Sequence, residues 1–141
     1  MSGVIEGGLR FYIVLALLLM LSPLLQAEGL RSPEAVAQAF VHAYRSADSD
    51  AIVALQFLAD GGRGHERQAW LRQLSDLKIR AYRVDLILAR DQWRSAGQPL
   101  MPQKKLVVLY DSLNQQRQRE ETYLIGQADG FYYLLPVHVG L

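Results

Sequence analysis

The sequence predicts an α+β fold in which helices come first and strands follow. Two observations lead to this prediction. Over residues 33–77 apolar residues recur at three- and four-residue spacing, as they do on amphipathic helices. From residue 82 onward they alternate with polar residues, as on half-buried strands. Because the two patterns are segregated along the chain, we expect three helices to pack on one face of a curved antiparallel sheet of about four strands.

The amino-terminal residues have the features of a secretory signal peptide. Arg10 precedes an apolar run over residues 11–21, and Ala27 offers a small residue for cleavage. The run is shorter than the roughly 20 apolar residues that span a bilayer. We therefore predict a signal peptide over residues 1–27 and one exported α+β domain over residues 28–141, in the periplasm or secreted. A leader that escaped cleavage would be the one membrane contact.

Composition narrows the class of protein. Half of the 141 residues are hydrophobic and 21% are charged, as in globular domains. The formal net charge of +1 gives no basic excess, so no nucleic-acid partner is expected. The sequence has no cysteine, which excludes disulfides, thiolate metal sites and cysteine nucleophiles. An exported domain without disulfides fits a bacterial envelope protein better than a small eukaryotic secreted module.

Three helices are predicted in order. Ser32-Pro33-Glu34 is a helix start with a side-chain cap and proline at the first position. The apolar stripe of this first helix consists of Val36, Phe40, Ala43, Tyr44 and Ala47. Asp48-Ser49-Asp50 ends it and caps a short second helix. A glycine-rich loop over residues 60–64 leads to the third helix, from about Glu66, with a buried stripe of Trp70, Leu71, Leu74 and Leu77.

Four strands follow. The first alternates Tyr82, Val84, Leu86 and Leu88 on one face, and residues 106–110 form a dense apolar second strand. Glu121, Tyr123 and Ile125 alternate in the third. Asp129-Gly130 is a short-turn signal before a fourth strand over residues 131–139, in which Pro136 indicates an edge or a bulge. We expect one buried cluster to contain Phe40, Trp70, Leu86 and Val108.

Three predicted elements together resemble the arrangement of a known family. They are a long opening helix at Pro33–Tyr44, a short second helix after Asp48-Ser49-Asp50 and a closing strand at Asp129–Leu134. This arrangement resembles the nuclear transport factor two-like (cystatin-like) α+β cone, in particular its small exported bacterial versions, over residues 33–139. The resemblance implies a pocket between the long helix and the concave sheet. Members of that family include isomerases, hydrolases and non-catalytic binding modules, so the resemblance does not choose a function.

Aromatic residues and one acid are the predicted lining of that pocket. Tyr82, Tyr110, Tyr123 and Tyr133 fall on apolar phases, and tyrosines in an apolar wall suit a small amphipathic ligand. The alternative is ordinary core packing. Glu121 shares its phase with Tyr123 and is the acid expected to reach the pocket. Asp85 and Asp111 are interpreted as surface charges, since buried unpaired acids are rare.

Other chemistries have weaker signals. The three histidines have no metal-ligand spacing, so we predict neither a metal site nor a cofactor. Residues 115–121 mix both charge signs at a hairpin, which favours a solvated tip over an anion site.

Two functions remain open at this point. The sequence favours an exported, non-catalytic binding or accessory module for a small apolar ligand or an envelope partner protein. The alternative is a small hydrolase or isomerase with an acid–tyrosine site inside the cone. A homodimer through the sheet face is compatible with the first.

Overall fold

The fold is described by a computed structural model that covers residues 30–58 and 62–136. The predicted leader, residues 1–27, lies outside the described residues, as does the end of the predicted fourth strand beyond residue 136. Within the described ranges the helices are α1 Pro33–Arg45, α2 Ser49–Ala54, α3 Arg63–Asp76 and the short α4 Gln92–Ser95, which follows a 3₁₀ turn at Ala89–Asp91. The strands are β1 Leu77–Leu86, β2 Pro102–Ser112, β3 Gln118–Ala128 and β4 Phe131–Leu134. The predicted α+β class with a curled four-stranded antiparallel sheet is confirmed.

The first two helices begin where their caps predict. The Ala35 backbone N–H donates to the Ser32 hydroxyl at 3.1 Å, and Pro33 stands at the first helical position. The Ala51 N–H donates to the Asp48 carboxylate at 3.0 Å. Each cap satisfies a donor that has no partner within its own helix.

The sheet has the simplest antiparallel order, β1-β2-β3-β4. The turn between β3 and β4 places Asp129 at φ 52° and Gly130 at φ 83°. Two successive left-handed residues match the twist of a tight hairpin, which confirms the predicted Asp-Gly turn. β4 is an edge strand and ends at Leu134, two residues before Pro136, which has no N–H for a ladder.

The core lies between α1, α3 and the concave face of the sheet. Phe40, Trp70 and Val108 are buried, which confirms three of the four predicted core residues. The Phe40 ring lies 5.4 Å from the ring of Trp70 and 5.4 Å from that of Tyr123, centroid to centroid. One aromatic cluster therefore joins the first helix, the third helix and a central strand.

The prediction that Leu86 is buried was wrong. Leu86 is 64% exposed and Tyr82 is 40% exposed. The register pairs Tyr82 with the fully buried Val108 and Leu86 with Lys104, so both do share the core face of the sheet. β1 is an edge strand, however, and the helices do not extend over this end of it. Alternation predicted correctly which residues share a face, but not whether another element covers that face.

The connection between β1 and β2 packs over the opposite face of the sheet. Asp91, at the end of the 3₁₀ turn, forms a buried salt bridge with Lys105 on β2 at 2.8 Å. The Arg94 guanidinium donates to the Thr122 carbonyl on β3 at 3.3 Å. Beneath this segment β2 and β3 are buried on both faces. No helix within the described residues has the length and hydropathy needed to cross a bilayer.

Candidate functional site

Two of the four predicted pocket tyrosines meet inside the core. Tyr110 from β2 and Tyr123 from β3 are both buried, and their hydroxyl oxygens lie 2.7 Å apart. The side-chain amide of Gln73, on α3, donates to the Tyr123 hydroxyl at 3.0 Å. The predicted inward phase of both tyrosines is thus correct, and their hydroxyls bond to core partners.

A third tyrosine extends this arrangement to the first helix. The Tyr44 hydroxyl donates to the Leu77 carbonyl at 2.8 Å and lies 3.2 Å from the Gln73 carbonyl. Its ring centroid is 5.4 Å from that of Tyr110. We call Tyr44, Gln73, Tyr110 and Tyr123 the tyrosine network. It ties α1, α3, β2 and β3 together through polar atoms that are satisfied within the core.

Burial keeps the network tyrosines neutral. Desolvation raises the pKa of Tyr44 to about 12. It also raises the pKa of Tyr110 and of Tyr123 above the ordinary tyrosine value of about 10. At physiological pH these side chains are hydrogen-bonding phenols, and none supplies a phenolate base.

The other two predicted tyrosines lie elsewhere. Tyr82 is on the uncovered part of β1. Tyr133, on β4, is half-buried and packs edge-on against Phe57, with ring centroids 5.4 Å apart. The structure therefore brings Tyr110 and Tyr123 together and leaves Tyr82 and Tyr133 in separate surroundings.

Glu121 is half-buried, and its carboxylate pairs with the guanidinium of Arg119. Together with Tyr123 it borders a cavity of about 350 Å³, whose other walls include Trp93 and Arg94. This cavity lies along the part of β3 that β4 leaves unpaired. The acid and one predicted tyrosine thus share a cavity wall, at the rim of the sheet and beside α4.

The two other acids considered from sequence form surface ion pairs. Asp85 pairs with Arg83 at 2.7 Å, and Asp111 pairs with Arg80 at 3.5 Å. All four side chains are substantially exposed. This agrees with their interpretation as surface charges.

Sequence reasoning missed two buried acids, Glu66 and Asp91. The Glu66 carboxylate accepts from the Gln56 amide at 3.2 Å, and the Gln56 carbonyl oxygen accepts from the Trp70 indole at 3.3 Å. A signal existed for Glu66, because it stands four residues before Trp70 and so lies on the same helix face. Asp91 has no such periodic pattern around it.

An apolar cavity of about 350 Å³ lies at one end of the domain, where α1 and α3 end and β1 begins. Its lining includes Tyr44, Leu74, Leu77 and Ile79, with Arg45 and Lys78 also contributing. We call it the end cavity. Its volume falls within the range of about 300–1,000 Å³ that small-molecule sites occupy.

Neither a search for metal-ligating groups nor comparison with known proteins assigns a function to these sites. Among the described residues, no group of three or more His, Cys, Asp or Glu side chains is placed to hold a metal ion. Comparison of the chain with protein-family models, curated proteins and solved structures gives no match.

Proposed function

We propose that this chain is an exported, non-catalytic binding module that takes a small apolar ligand in the end cavity. The observation that carries the proposal is the mainly apolar wall of that cavity, beside tyrosine hydroxyls that already bond within the core. A cone of the nuclear transport factor two-like type belongs to the same proposal, supported by the curled sheet and the long first helix.

The end cavity offers hydrophobic contact and little else. The Tyr44 hydroxyl is directed at the Leu77 carbonyl, so its ring is the part available to a ligand. Burial of apolar surface there would contribute about 25 cal/mol per Å². Arg45 and Lys78 can cover a ligand with their aliphatic stems while their charged ends stay in water. This chemistry favours an apolar ligand over an ionic one.

The alternative of a hydrolase or isomerase needs an acid and a tyrosine directed at one substrate. The Tyr110 and Tyr123 hydroxyls instead bond to each other, and Glu121 pairs with Arg119. Both contacts use the groups that such a site would have to present. The geometry therefore supports binding over catalysis.

A titration with the neutral apolar fluorophore N-phenyl-1-naphthylamine tests the ligand site. Leu74→Gln should weaken binding by about fivefold or more, because it removes one large apolar wall of the end cavity. The prediction that Leu71 is buried was wrong, because this residue of the same helix is 42% exposed and lies outside that wall. Leu71→Gln is therefore the matched control. Equal affinity in the two variants would contradict the proposed site.

Export has its own test. Amino-terminal sequencing of protein from the envelope fraction should begin at Glu28 or within a few residues of it. An intact Met1 terminus in that fraction would contradict cleavage, without bearing on the ligand site.

An envelope partner protein is a second candidate, favoured by the exposed apolar side chains of Tyr82 and Leu86 on the sheet face. Light scattering on the purified domain separates this candidate from a homodimer. A dimer that Leu86→Glu dissociates would indicate self-association through the sheet face. A monomer would leave this face to a different protein.

A further inference from the structure

An open polar groove of about 540 Å³, lined mostly by exposed side chains, lies between the last turn of α3 and the hairpin that joins β2 to β3. We call it the hairpin cavity. Its lining includes three arginines, one acid and several side-chain amides, among them Arg72, Arg117, Arg119, Asp76, Asn114 and Gln118. The lining comes from two segments about 40 residues apart in sequence. The hairpin residues 113–120 are exposed, in agreement with the predicted solvated tip.

Among the residues that the structure describes, two of the three guanidinium groups have no counter-ion. Arg119 is paired with Glu121. Within residues 30–58 and 62–136, neither Arg72 nor Arg117 forms a salt bridge. A guanidinium presents several N–H donors in a fixed plane that matches carboxylate and phosphate oxygens.

Carbonyl groups at the end of α3 have hydrogen-bond partners other than these arginines. Carbonyl groups at a helix carboxyl terminus carry partial negative charge and require donors. Here the Arg72 carbonyl accepts from the Ser75 hydroxyl at 2.7 Å, and the Asp76 carbonyl accepts from the Leu113 N–H at 3.0 Å. The Gln73 carbonyl accepts from the Leu77 N–H and lies near the Tyr44 hydroxyl. These three carbonyls at the end of the helix are bonded without the guanidinium groups of Arg72 and Arg117.

Two residues that line the hairpin cavity also form hydrogen bonds with the tyrosine network of the core. Gln73 lines the hairpin cavity, and its side chain donates to the Tyr123 hydroxyl of the tyrosine network. Leu77 borders the cavity as well, and its carbonyl accepts from Tyr44. One side of the cavity is thus fixed before any ligand enters, which lowers the ordering cost of binding.

We propose that the hairpin cavity binds a small polyhydroxylated acid, such as a sugar that carries a carboxylate or a phosphate. Arg72 and Arg117 hold the oxyanion. Asp76, Asn114 and Gln118 exchange hydrogen bonds with hydroxyl groups, for which carboxylate and amide side chains supply acceptors and donors. This site is separate from the end cavity and does not depend on the function proposed there.

Calorimetric titration of the exported form with glucuronate, galacturonate and glucose 6-phosphate tests the inference. Glucose supplies hydroxyls without the acid, and acetate supplies the acid without hydroxyls. At least one of the three acidic sugars should bind about tenfold more tightly than glucose or acetate, since both parts of the cavity contribute. Arg117→Gln and Arg72→Gln should each raise its Kd about tenfold, the loss of one charge-assisted contact.

Arg67→Gln is the matched control, because it removes the same charge from the same helix outside the cavity. It should change the Kd by less than about twofold. Circular dichroism checks that each variant is folded, and Arg72→Lys, which keeps the charge without the planar fork, should bind more weakly than wild type. The inference is overturned if none of the three acidic sugars binds at millimolar concentration, or if Arg67→Gln loses as much affinity as Arg117→Gln.

Discussion

Tyr110 is fully buried, and its hydroxyl has its hydrogen-bond partner in Tyr123. A phenol in such a position is stabilising only while its hydroxyl has a hydrogen-bond partner, since an unsatisfied buried polar group costs about 1–3 kcal/mol. Gln73 supplies the third group of this chain of bonds. The tyrosine network therefore stabilises the core through individual hydrogen bonds between buried side chains.

Tyr110→Phe should lower the free energy of unfolding by about 1–3 kcal/mol, because the Tyr123 hydroxyl then loses a partner inside the core. Tyr82→Phe removes the same atom from a side chain that is 40% exposed, and should change stability by less than about 0.5 kcal/mol. Urea unfolding of both variants measures the difference. Equal effects would mean that the hydroxyl pair contributes nothing specific.

A few polar contacts hold the connection over residues 87–101 against the sheet. Asp91 accepts from the Lys105 ammonium and from the Leu88 N–H at 2.9 Å. These bonds, chiefly the one from Lys105, lower the pKa of the Asp91 carboxyl. Because the folded pKa is depressed, the carboxylate contributes stability above the unfolded value of about 3.9 and loses it as pH falls through the folded value.

Asp91→Asn should lower the unfolding midpoint at neutral pH, because it leaves the buried Lys105 ammonium without its counter-charge. The variant should also lose less stability than wild type between about pH 5 and pH 2. Asp85→Asn, which breaks the exposed pair with Arg83, is the control and should leave the midpoint nearly unchanged. An Asp91→Asn midpoint equal to that of wild type would show that the connection is held by other contacts.

The sequence allowed the helices and strands to be predicted better than the contacts between them. Helix caps and the Asp-Gly turn are local, so Ser32, Asp48 and Asp129-Gly130 were interpreted correctly. Coverage is a long-range property, and for this reason the exposure of Leu86 was missed. The Asp91–Lys105 pair joins residues fourteen apart in a segment without periodicity, so no pattern indicated it.

The candidate sites could be predicted only in part for the same reason. Alternation placed Glu121 and Tyr123 on one face of the third strand, and the register pairs them with the buried Val108 and Leu106. It could not show that the Tyr110 and Tyr123 hydroxyls bond to each other. Both the end cavity and the hairpin cavity form where the end of a helix packs against the end of a strand. Such long-range contacts produce no local sequence pattern.

At the scale of the molecule, three buried phenols make stability sensitive to alkali. The pKa values of Tyr44, Tyr110 and Tyr123 are raised, so the folded state favours their neutral forms. Their contribution is complete below the unfolded value of about 10 and is lost as pH rises. For Tyr44 the loss runs to about pH 12.

We expect the unfolding free energy to fall above pH 10 by up to about 1.4 kcal/mol per pH unit for each of these tyrosines. Tyr44→Phe should reduce that slope by about a third. Denaturant unfolding at a series of alkaline pH values, with tyrosinate absorbance as the second signal, measures it. A pH dependence unchanged by Tyr44→Phe would contradict the assignment of this residue to the network.

Where an apolar ligand binds is the central claim, and amide chemical-shift mapping tests it most directly. Titration of the isotope-labelled domain with N-phenyl-1-naphthylamine should shift the amides around Tyr44, Leu74 and Ile79, which border the end cavity. If the shifts are instead centred on Tyr110 and Tyr123, and the amides around Leu74 do not shift, the ligand binds between the sheet and the helices. That result would contradict binding in the end cavity.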